Sequence, residues 1–330
     1  MKTSLEPGSL RKRAARFRRR LTFDRISFVA VFLILPLTIF VIFELSPYLQ
    51  AFYYSMTDWG GFSNDMDFVG LQNFEQMLSD PKFLKAVRNS ALLAAVIPTV
   101  TLVAAFAIAV VVTTGGPIIG RVTGLKGGAF YRVISFFPYT VPAIVIGLIW
   151  AQVYDPNRGL LNGVLKALGL DRFDGFPWIG NVHTAMPASM FVIIWGFIGF
   201  YTILFVAAIK GIPAETYEAA RIDGAGRLRT AISIALPQVL DSVQTSYIYL
   251  GLTVIDSFVY MRVLNPLGGP DYATLTITQD LHMEAFTGGH FGYATAMGVV
   301  LAIITMVYAG IIFLIFRLIR GKDDGGRAAA

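Results

Sequence analysis

The chain has 330 residues, of which 55% are hydrophobic and 15% are charged, and it contains no cysteine. Soluble domains carry about a quarter of charged residues, so this composition is that of an integral membrane protein. The lack of cysteine excludes disulfides, iron–sulfur clusters and thiolate catalysis. A net charge of +6 would suit nucleic-acid binding in a soluble protein, but its distribution along this chain argues against that function.

Six apolar segments are long enough to cross a bilayer, whose core of about 30 Å needs about 20 apolar residues per helix. They lie at about 26–46, 89–113, 132–154, 187–209, 241–261 and 294–317. Alternation with period two is absent, which disfavours a transmembrane β-barrel. The sequence therefore predicts an all-α, polytopic membrane protein, with a tail at 1–25, a six-helix domain at 26–320 and a second tail at 321–330.

Basic residues are distributed unevenly between the two sides of the predicted membrane. If the N-terminus lies inside, 20 Lys and Arg fall in the inside segments, at 1–25, 114–132, 210–240 and 317–330. The outside segments carry 7, together with eleven acidic residues. This asymmetry follows the positive-inside rule and predicts that both termini are cytoplasmic. The basic run at 11–20 is then an orientation signal that also suits contact with anionic lipid.

The sequence lacks motifs of phosphate-binding, metal-binding and catalytic sites. Segment 115–122 has the glycine spacing of a phosphate-binding loop, but Arg121 and Val122 replace its Lys and Ser/Thr, and no strand precedes it. The histidines fall in predicted outside loops without metal-ligand spacing and are expected to be solvated: His183, His282 and His290. No serine elbow or HExxH motif is present. We therefore expect no catalytic residue, no metal and no cofactor in this chain.

The third apolar segment contains two prolines four residues apart, Pro138 and Pro142. Each removes a backbone donor, and the spacing puts both gaps on one face of a helix. The third helix is therefore expected to be kinked or open at this point.

A polar stripe runs along the fifth predicted helix. At 100° per residue its members fall within an arc of about 120°: Ser242, Thr245, Ser246, Tyr249, Thr253, Asp256 and Ser257. An aspartate inside a membrane costs about 2.5–3.5 kcal/mol on insertion scales, so Asp256 should face protein or water.

Two interpretations of this stripe are open. The hydroxyls can mediate helix packing, with Asp256 hydrated near the outer interface, or the stripe can line a hydrophilic pathway. Hydroxyls, an aromatic ring and a carboxylate would suit a neutral polyhydroxylated solute, and the absence of Lys and Arg argues against an anionic one. The candidate pathway residues are Tyr249, Thr253, Asp256 and Ser257, with Gly199 and Tyr201 on helix four.

A polar, helix-prone stretch at 210–240 separates the fourth and fifth apolar segments on the predicted inside. Pro213 suits the first turn of a helix. Gly224 permits a tight turn or a close backbone contact, and a second helix is expected over about 227–234. By composition alone this stretch is compatible with an amphipathic connector that lies on the lipid surface.

The same stretch carries a specific motif: EAA, three residues, Gly, nine residues, Ile, one residue, Leu-Pro. It is formed by Glu218, Ala219, Ala220, Gly224, Ile234, Leu236 and Pro237. The motif resembles the EAA loop of inner-membrane subunits of binding-protein-dependent ABC importers. Segments 68–74, 150–162 and 291–301 are similar to the maltose-type carbohydrate-uptake branch, in particular to the subunit with the longer outside loop.

This resemblance implies a type I permease bundle in a bacterial-type cell membrane, and no enzyme. The implied partners are a second homologous permease subunit, cytoplasmic ATP-binding subunits that contact the EAA residues and hydrolyse ATP, an extracytoplasmic solute-binding protein, a sugar substrate and membrane lipid, and no nucleic acid. One feature departs from the family pattern. Arg262 stands where a tyrosine is usual, and one extra residue precedes Gly268, so the docked partner or substrate is expected to be atypical.

Other functions stay open on the sequence. An ion-coupled secondary transporter is the alternative, although Asp256 is its only plausible intramembrane coupling carboxylate and no inverted repeat is visible. A membrane scaffold or enzyme would show no solute flux. An acetylated amino sugar, a disaccharide and a glycerol-phosphate-like ligand are not separated by the sequence, although the uncharged stripe weighs against the last.

Overall fold

A computed structural model describes residues 27–63, 65–114 and 128–327. The predicted tail at 1–25 and the glycine-rich segment at 115–122 lie outside the described residues. Within the described ranges the regular structure is helical, and the β pairing is limited to an isolated bridge between Thr57 and Phe68. The predicted all-α fold class is confirmed for this part of the chain.

The first of two compact units ends at Tyr53, and the described part of it is formed by one apolar helix, α1 (Ser27–Tyr54), whose last residue opens the second unit. Two of its turns are wide π turns, Ala30–Ile34 and Val41–Leu45. The first precedes Pro36, whose missing N–H already interrupts the i to i−4 ladder. The helix continues about two turns beyond the predicted span, which ended at 46.

The second unit begins at Tyr54 and contains the remaining helices. In chain order they are α2 (Gln72–Ser79), α3 (Pro81–Thr114), α4 (Gly128–Thr140), α5 (Ala143–Val153), α6 (Leu160–Ala167), α7 (Ala185–Lys210), α8 (Ala214–Ile222), α9 (Arg227–Thr230), α10 (Leu240–Ile255), α11 (Phe258–Leu264), α12 (Ile277–Phe286) and α13 (Phe291–Arg327). Short 3₁₀ turns lie at Asp171–Phe173, Pro266–Gly268 and Pro270–Tyr272.

Within the described residues, four helices are each long and apolar enough to cross a membrane: α1, α3, α7 and α13. Two further spans are bent pairs, α4 with α5 at 110° and α10 with α11 at 47°. Each of the six predicted segments coincides with one of these spans. The ends differ: α3 begins at Pro81, and the backbone of α13 continues to Arg327, into the predicted tail at 321–330. Hydropathy marks where a helix leaves the apolar phase, and a helix can continue beyond that point.

The two bends have different causes. The kink predicted for the third segment is confirmed: Pro138 lies in the last turn of α4, and Pro142 caps α5. The second bend was not predicted, because segment 241–261 was expected to be one helix. There α10 ends at Ile255, and Asp256 and Ser257 cap the two pieces with non-helical backbone angles. Asp and Ser side chains compete for backbone hydrogen bonds and favour helix ends over interiors.

The centre of the second unit is α7, which packs against α3 and α4 and is half buried. Glycines allow the closest approaches. A Cβ on Gly199 would overlap the backbone carbonyl of Ser135 in α4. A Cβ on Gly251 in α10 would overlap the ring and hydroxyl of Tyr308 in α13. Gly199 fixes the distance between α4 and α7, because a backbone neighbour cannot rotate away as the Tyr308 side chain beside Gly251 can.

We therefore expect Gly199→Val to destabilise the bundle by about 2–3 kcal/mol, the upper part of the range for overpacked cores. Thermal unfolding in detergent, followed by a fluorescence or aggregation readout, measures the loss. The matched control is Gly310→Val in α13, because a Cβ there meets nothing within 4 Å. Equal melting temperatures for the two variants would contradict this packing role.

Candidate functional site

The polar stripe of the fifth predicted helix lines two adjoining cavities. The larger cavity has a volume of about 760 Å³ and the smaller about 360 Å³. The larger is lined by the stripe residues Ser242, Thr245, Ser246, Tyr249 and Thr253. The smaller is lined by Thr253, Asp256 and Ser257. All seven stripe residues therefore face one cavity or the other.

An aromatic wall faces the hydroxyls across the larger cavity. It consists of Tyr139 from α4 and Phe197, Phe200 and Tyr201 from α7. The Tyr139 ring stacks on Phe200 with centroids 4.5 Å apart, and Phe200 meets Tyr201 edge-on at 5.0 Å. Flat rings opposite hydroxyls give a site that can stack on the C–H face of a polar ligand and bond its oxygens.

The two cavities meet at three residues that line both, Tyr139, Phe197 and Thr253. Tyr139 is the second-last residue of α4, directly before the α4–α5 bend. Its ring lies 5.9 Å from that of Phe197, centroid to centroid. Because Tyr139 lies beside the bend, the angle between α4 and α5 determines where the boundary between the two cavities lies.

Two hydroxyls at the cavity walls are buried without a protein partner among the described residues. Ser246 is 3% exposed and Ser257 is 4% exposed, and each lines one of the cavities. Thr253 differs, because its hydroxyl donates to the Tyr249 carbonyl at 2.9 Å. A buried hydroxyl without a partner costs about 1–3 kcal/mol, and neighbouring atoms cover both serine oxygens; the exposed hydroxyls of the stripe are those of Thr245, Tyr249 and Thr253.

The charges at the walls are negative. Among the described lining residues the only charged side chains are Asp241 and Asp256. Asp241 forms an ion pair with Arg320 of α13, and Arg320 also donates to the Gln244 amide oxygen at 2.6 Å. Asp256 is exposed at the smaller cavity, in the break between α10 and α11.

The two pathway candidates that the sequence analysis places on helix four, Tyr201 and Gly199, lie at different distances from the cavities. Tyr201 lines the larger cavity and is 4% exposed. Gly199 requires a correction: it lines neither cavity, because its missing side chain admits the α4 backbone. Periodicity on helix five could not identify the opposite aromatic wall, since the wall forms only when α4 and α7 pack together.

The EAA motif begins in α8, passes through the turn at Gly224 and α9, and ends at Pro237 shortly before α10; the segment from Glu218 to Pro237 is called the EAA turn below. Glu218 and Ala219 are exposed, whereas Ala220 is buried. Gly224 has a φ of +72°, which only glycine adopts at low cost, and a Cβ on it would meet nothing within 4 Å. The sequence expectation of a tight turn at Gly224 is therefore confirmed.

This turn is firmly joined to α7 and α10. The buried Tyr217 hydroxyl donates to the Ile209 carbonyl at 3.3 Å, and burial raises the pKa of Tyr217. On the other side, α9 continues through a π turn, Ala231–Ala235, so that the predicted second helix is present with a widened second half. Ile234 and Leu236 are half-buried, and Pro237 is exposed four residues before Asp241 of the cavity wall.

Comparison with known proteins identifies the family. Residues 112–321 match the family described as "Binding-protein-dependent transport system inner membrane component". The chain belongs to this family. Its members are transport subunits of the inner membrane and not enzymes.

Individual relatives of this permease cover nearly its whole length. It is 60% identical to the diacetylchitobiose uptake system permease protein NgcF of Streptomyces coelicolor, over 95% of this chain and 89% of the relative. It is 34% identical to the multiple sugar-binding transport system permease protein MsmF of Streptococcus mutans, over 83% and 89%. In fold it is similar to a chain of a bacterial ABC transporter involved in import of the acidic polysaccharide alginate, with a TM-score of 0.76, 20% identity and coverage of 92% and 99%.

An ionic cluster joins α3 to α12 of the permease. The Lys82 ammonium lies 2.6 Å from the Asp280 carboxylate and 2.9 Å from that of Glu284, and His290 Nδ1 lies 3.1 Å from Glu284. The Asp280 side chain is fully buried. Burial raises the pKa of Asp280 against the opposing effect of Lys82. Burial also acts to raise the pKa of Glu284, but Lys82 and His290 outweigh it and hold that pKa below its usual value.

The histidines are placed differently from the sequence expectation. His183 and His290 are exposed, as expected. His282 is corrected: it lies in α12 between the rings of Phe258 and Phe286, each 5.0 Å away. Among residues 27–63, 65–114 and 128–327, no three His, Asp or Glu side chains are grouped so as to hold a metal ion.

The atypical segment after α11 is a strained turn. Three residues that are not glycine have positive φ: Leu267, Asp271 and Tyr272. Neighbours from α3 hold the segment, since Lys85 pairs with Asp271 and the Asn89 amide donates to the Tyr272 carbonyl at 3.2 Å. Such conformations cost about 1–3 kcal/mol each and persist only where surrounding contacts over-determine them.

We expect Lys82→Gln to destabilise the permease by about 3 kcal/mol or more, because the buried Asp280 loses its cation. The matched control is Lys85→Gln, one turn along α3, whose partner Asp271 is exposed, so its loss should stay below about 1 kcal/mol. Protonation of Asp280 removes the uncompensated charge, so the melting-temperature gap between Lys82→Gln and the parent should narrow as the pH falls from about 8 to about 5. Equal losses for both variants, or a gap that does not change with pH, would contradict the assignment.

Proposed function

We propose that this chain is one of two membrane subunits of an ATP-driven importer for neutral sugars of about disaccharide size. The observation that carries the proposal is the pair of cavities lined by hydroxyls on α10 and aromatic rings on α4 and α7, in a member of this transport family. The EAA turn supports the coupling to ATP.

The chemistry of the cavities supports a neutral carbohydrate. A volume of about 760 Å³ lies within the range of sites that enclose small ligands, about 300–1,000 Å³. The exposed hydroxyls of Thr245 and Tyr249 offer hydrogen bonds, and Tyr139 and Tyr201 offer ring faces or edges. The names of NgcF and MsmF refer to diacetylchitobiose and to multiple sugars. Diacetylchitobiose, an uncharged disaccharide, is therefore the first substrate to test.

A second, homologous subunit is needed to close the pathway. Tyr249 lines the larger cavity but is 69% exposed, so this cavity lacks a wall on the Tyr249 side. A polar surface of this kind cannot be left against lipid. A homologous six-helix partner that presents its own polar face would complete the enclosure.

The EAA turn suits a contact with a cytoplasmic ATPase subunit. Glu218, Ala219 and Gly224 are exposed together, and the small residues leave room for another protein surface. The turn continues within a few residues into α10, so a push on the turn displaces the cavity wall. ATP binding to the partner would then favour one arrangement of the bundle over another, as any shift of a conformational equilibrium requires.

The orientation follows from charge. With 20 of 27 basic residues on one side, the EAA turn and both termini face the cytoplasm, and the strained turn after α11 faces outward. An extracytoplasmic binding protein would deliver the sugar on that outer side, in keeping with the family's dependence on such proteins.

In the first experiment, the tagged chain is purified from its native membrane and the proteins that co-purify with it are identified. We expect a second six-helix subunit and a P-loop ATPase. Gly224→Asp should lose the ATPase and uptake while the second subunit stays bound, because a side chain and a charge are added where the ATPase docks and the φ of +72° is strained.

The matched control is Gly175→Asp, which also has a positive φ, +70°, and open space around its Cβ, but lies on the opposite, outer side. It should keep the ATPase and uptake. Isolation of the native chain alone, with uptake that an uncoupler abolishes while ATP remains, would contradict the importer and favour an ion-coupled transporter.

A second experiment tests the pathway. Ser257→Leu adds bulk at the smaller cavity, so uptake of diacetylchitobiose should fall by about 10- to 100-fold, equivalent to about 1.4–2.8 kcal/mol. Thr305→Leu in α13 is the control, since Thr305 does not line either cavity and its hydroxyl bonds the Ala302 carbonyl. Unchanged affinity and rate for Ser257→Leu in the intact complex would contradict the pathway assignment.

A further inference from the structure

The short helix α6 presents an apolar face that the described part of the chain leaves uncovered. Leu160 is 68% exposed, Val164 is 47% exposed and Leu168, which caps the helix, is 72% exposed. Spaced by four residues, they fall within an arc of about 80°. Three exposed aliphatic side chains on successive turns of one helix face form a surface that suits contact with an apolar partner or with lipid.

The opposite face of α6 is tied to the protein, which fixes the rotation of the helix. Asn162 is 5% exposed, and its amide donates to the carbonyls of Pro156 at 3.1 Å and Phe176 at 2.9 Å. Its oxygen accepts from Trp178 Nε1 at 2.6 Å. These hydrogen bonds of Asn162 hold α6 in one rotation about its axis, so the exposed stripe points outward because of the fold.

A tight turn keeps α6 beside the end of the α4–α5 span. The Asp155 carboxylate accepts from the backbone N–H groups of Asn157 at 2.9 Å and Arg158 at 2.8 Å. Gly159 donates to the Asp155 carbonyl at 2.9 Å, and a Cβ on Gly159 would overlap that carbonyl. With only this turn between them, α6 starts where α5 leaves the bilayer.

The chemistry of the exposed face favours lipid over a protein partner. Protein-binding patches are enriched in aromatic residues and Arg, whereas this stripe is purely aliphatic. The neighbouring rings of Phe173, Phe176 and Trp178 contact each other. The exposed side of α5, from which α6 follows, is also aliphatic and includes Leu148 and Ile149.

We propose that α6 lies flat in the boundary between headgroups and acyl chains at this end of α5, with Leu160, Val164 and Leu168 in the lipid. Helices of this type bury an apolar face about 5–10 Å into the boundary. Lys166, on the other face, pairs with Asp174 at 2.6 Å and stays in water. This lipid contact does not depend on which solute the permease carries.

The natural lack of cysteine makes a direct test possible, because one introduced thiol is the only one in the chain. Leu160→Cys, Val164→Cys and Leu168→Cys are each spin-labelled in the assembled complex in lipid nanodiscs. Collision rates are then measured with oxygen, which concentrates in lipid, and with a water-soluble nickel complex. The control is Lys166→Cys on the opposite face. We expect the oxygen-to-nickel ratio at the three positions to exceed that of the control severalfold.

Other outcomes would overturn the proposal. Nickel collision rates equal to those of Lys166→Cys would mean that the stripe faces water. Low collision rates with both reagents would mean that another subunit covers it, and protection only after addition of a binding protein would mean a docking surface. If a spin label disturbs folding, the same cysteines carry a bimane fluorophore, and quenching by lipids with doxyl groups near the headgroup should exceed that of the Lys166→Cys control.

Discussion

A polar face on a membrane-spanning helix must be kept from lipid, and α10 carries such a face along most of its length. An aspartate such as Asp256 that faces lipid would by itself cost about 2.5–3.5 kcal/mol of insertion free energy. The fold covers part of this face by setting α7 and the bent α4–α5 pair opposite α10, which leaves two cavities between them, while Tyr249 and Asp256 stay exposed. The exposed hydroxyls of Thr245 and Tyr249 make the wall of the larger cavity suited to a polar guest.

Both breaks in the spanning helices lie at these cavities. One is set by Pro138 and Pro142 and places Tyr139 at the boundary, and the other places Asp256 in the smaller cavity. Helix ends and breaks are where backbone angles change during domain movements. The EAA turn leads from Pro237 into α10 within one helical turn, so the proposed coupling surface and the cavity wall belong to one continuous piece of chain.

The sequence predicts those features of the fold that depend on neighbouring residues alone. The six spans, the proline kink and the tight turn at Gly224 follow from hydropathy, missing N–H groups and backbone freedom. Gly199 was misplaced because only packing reveals that its neighbour is a backbone. The break at Asp256 was missed because hydropathy averages over it, although Asp-Ser is a plausible cap pair. The sequence predicts a loop at His282, yet Thr276 and the glutamine three residues later form a capping box that marks the start of α12.

The charged side chains at the cavity walls are both acidic, Asp241 and Asp256, among the described lining residues. The similarity to the alginate importer, at 20% identity, is one of fold, and a fold does not by itself determine which solute is carried. Here Arg320 offsets Asp241, whereas no ion pair of Asp256 is found in the described ranges. A carboxylate about 6–8 Å away at an effective dielectric constant of about 20 repels an anion by about 2–3 kcal/mol. A neutral sugar avoids this penalty, which places the selectivity of the proposed pathway in its lining residues.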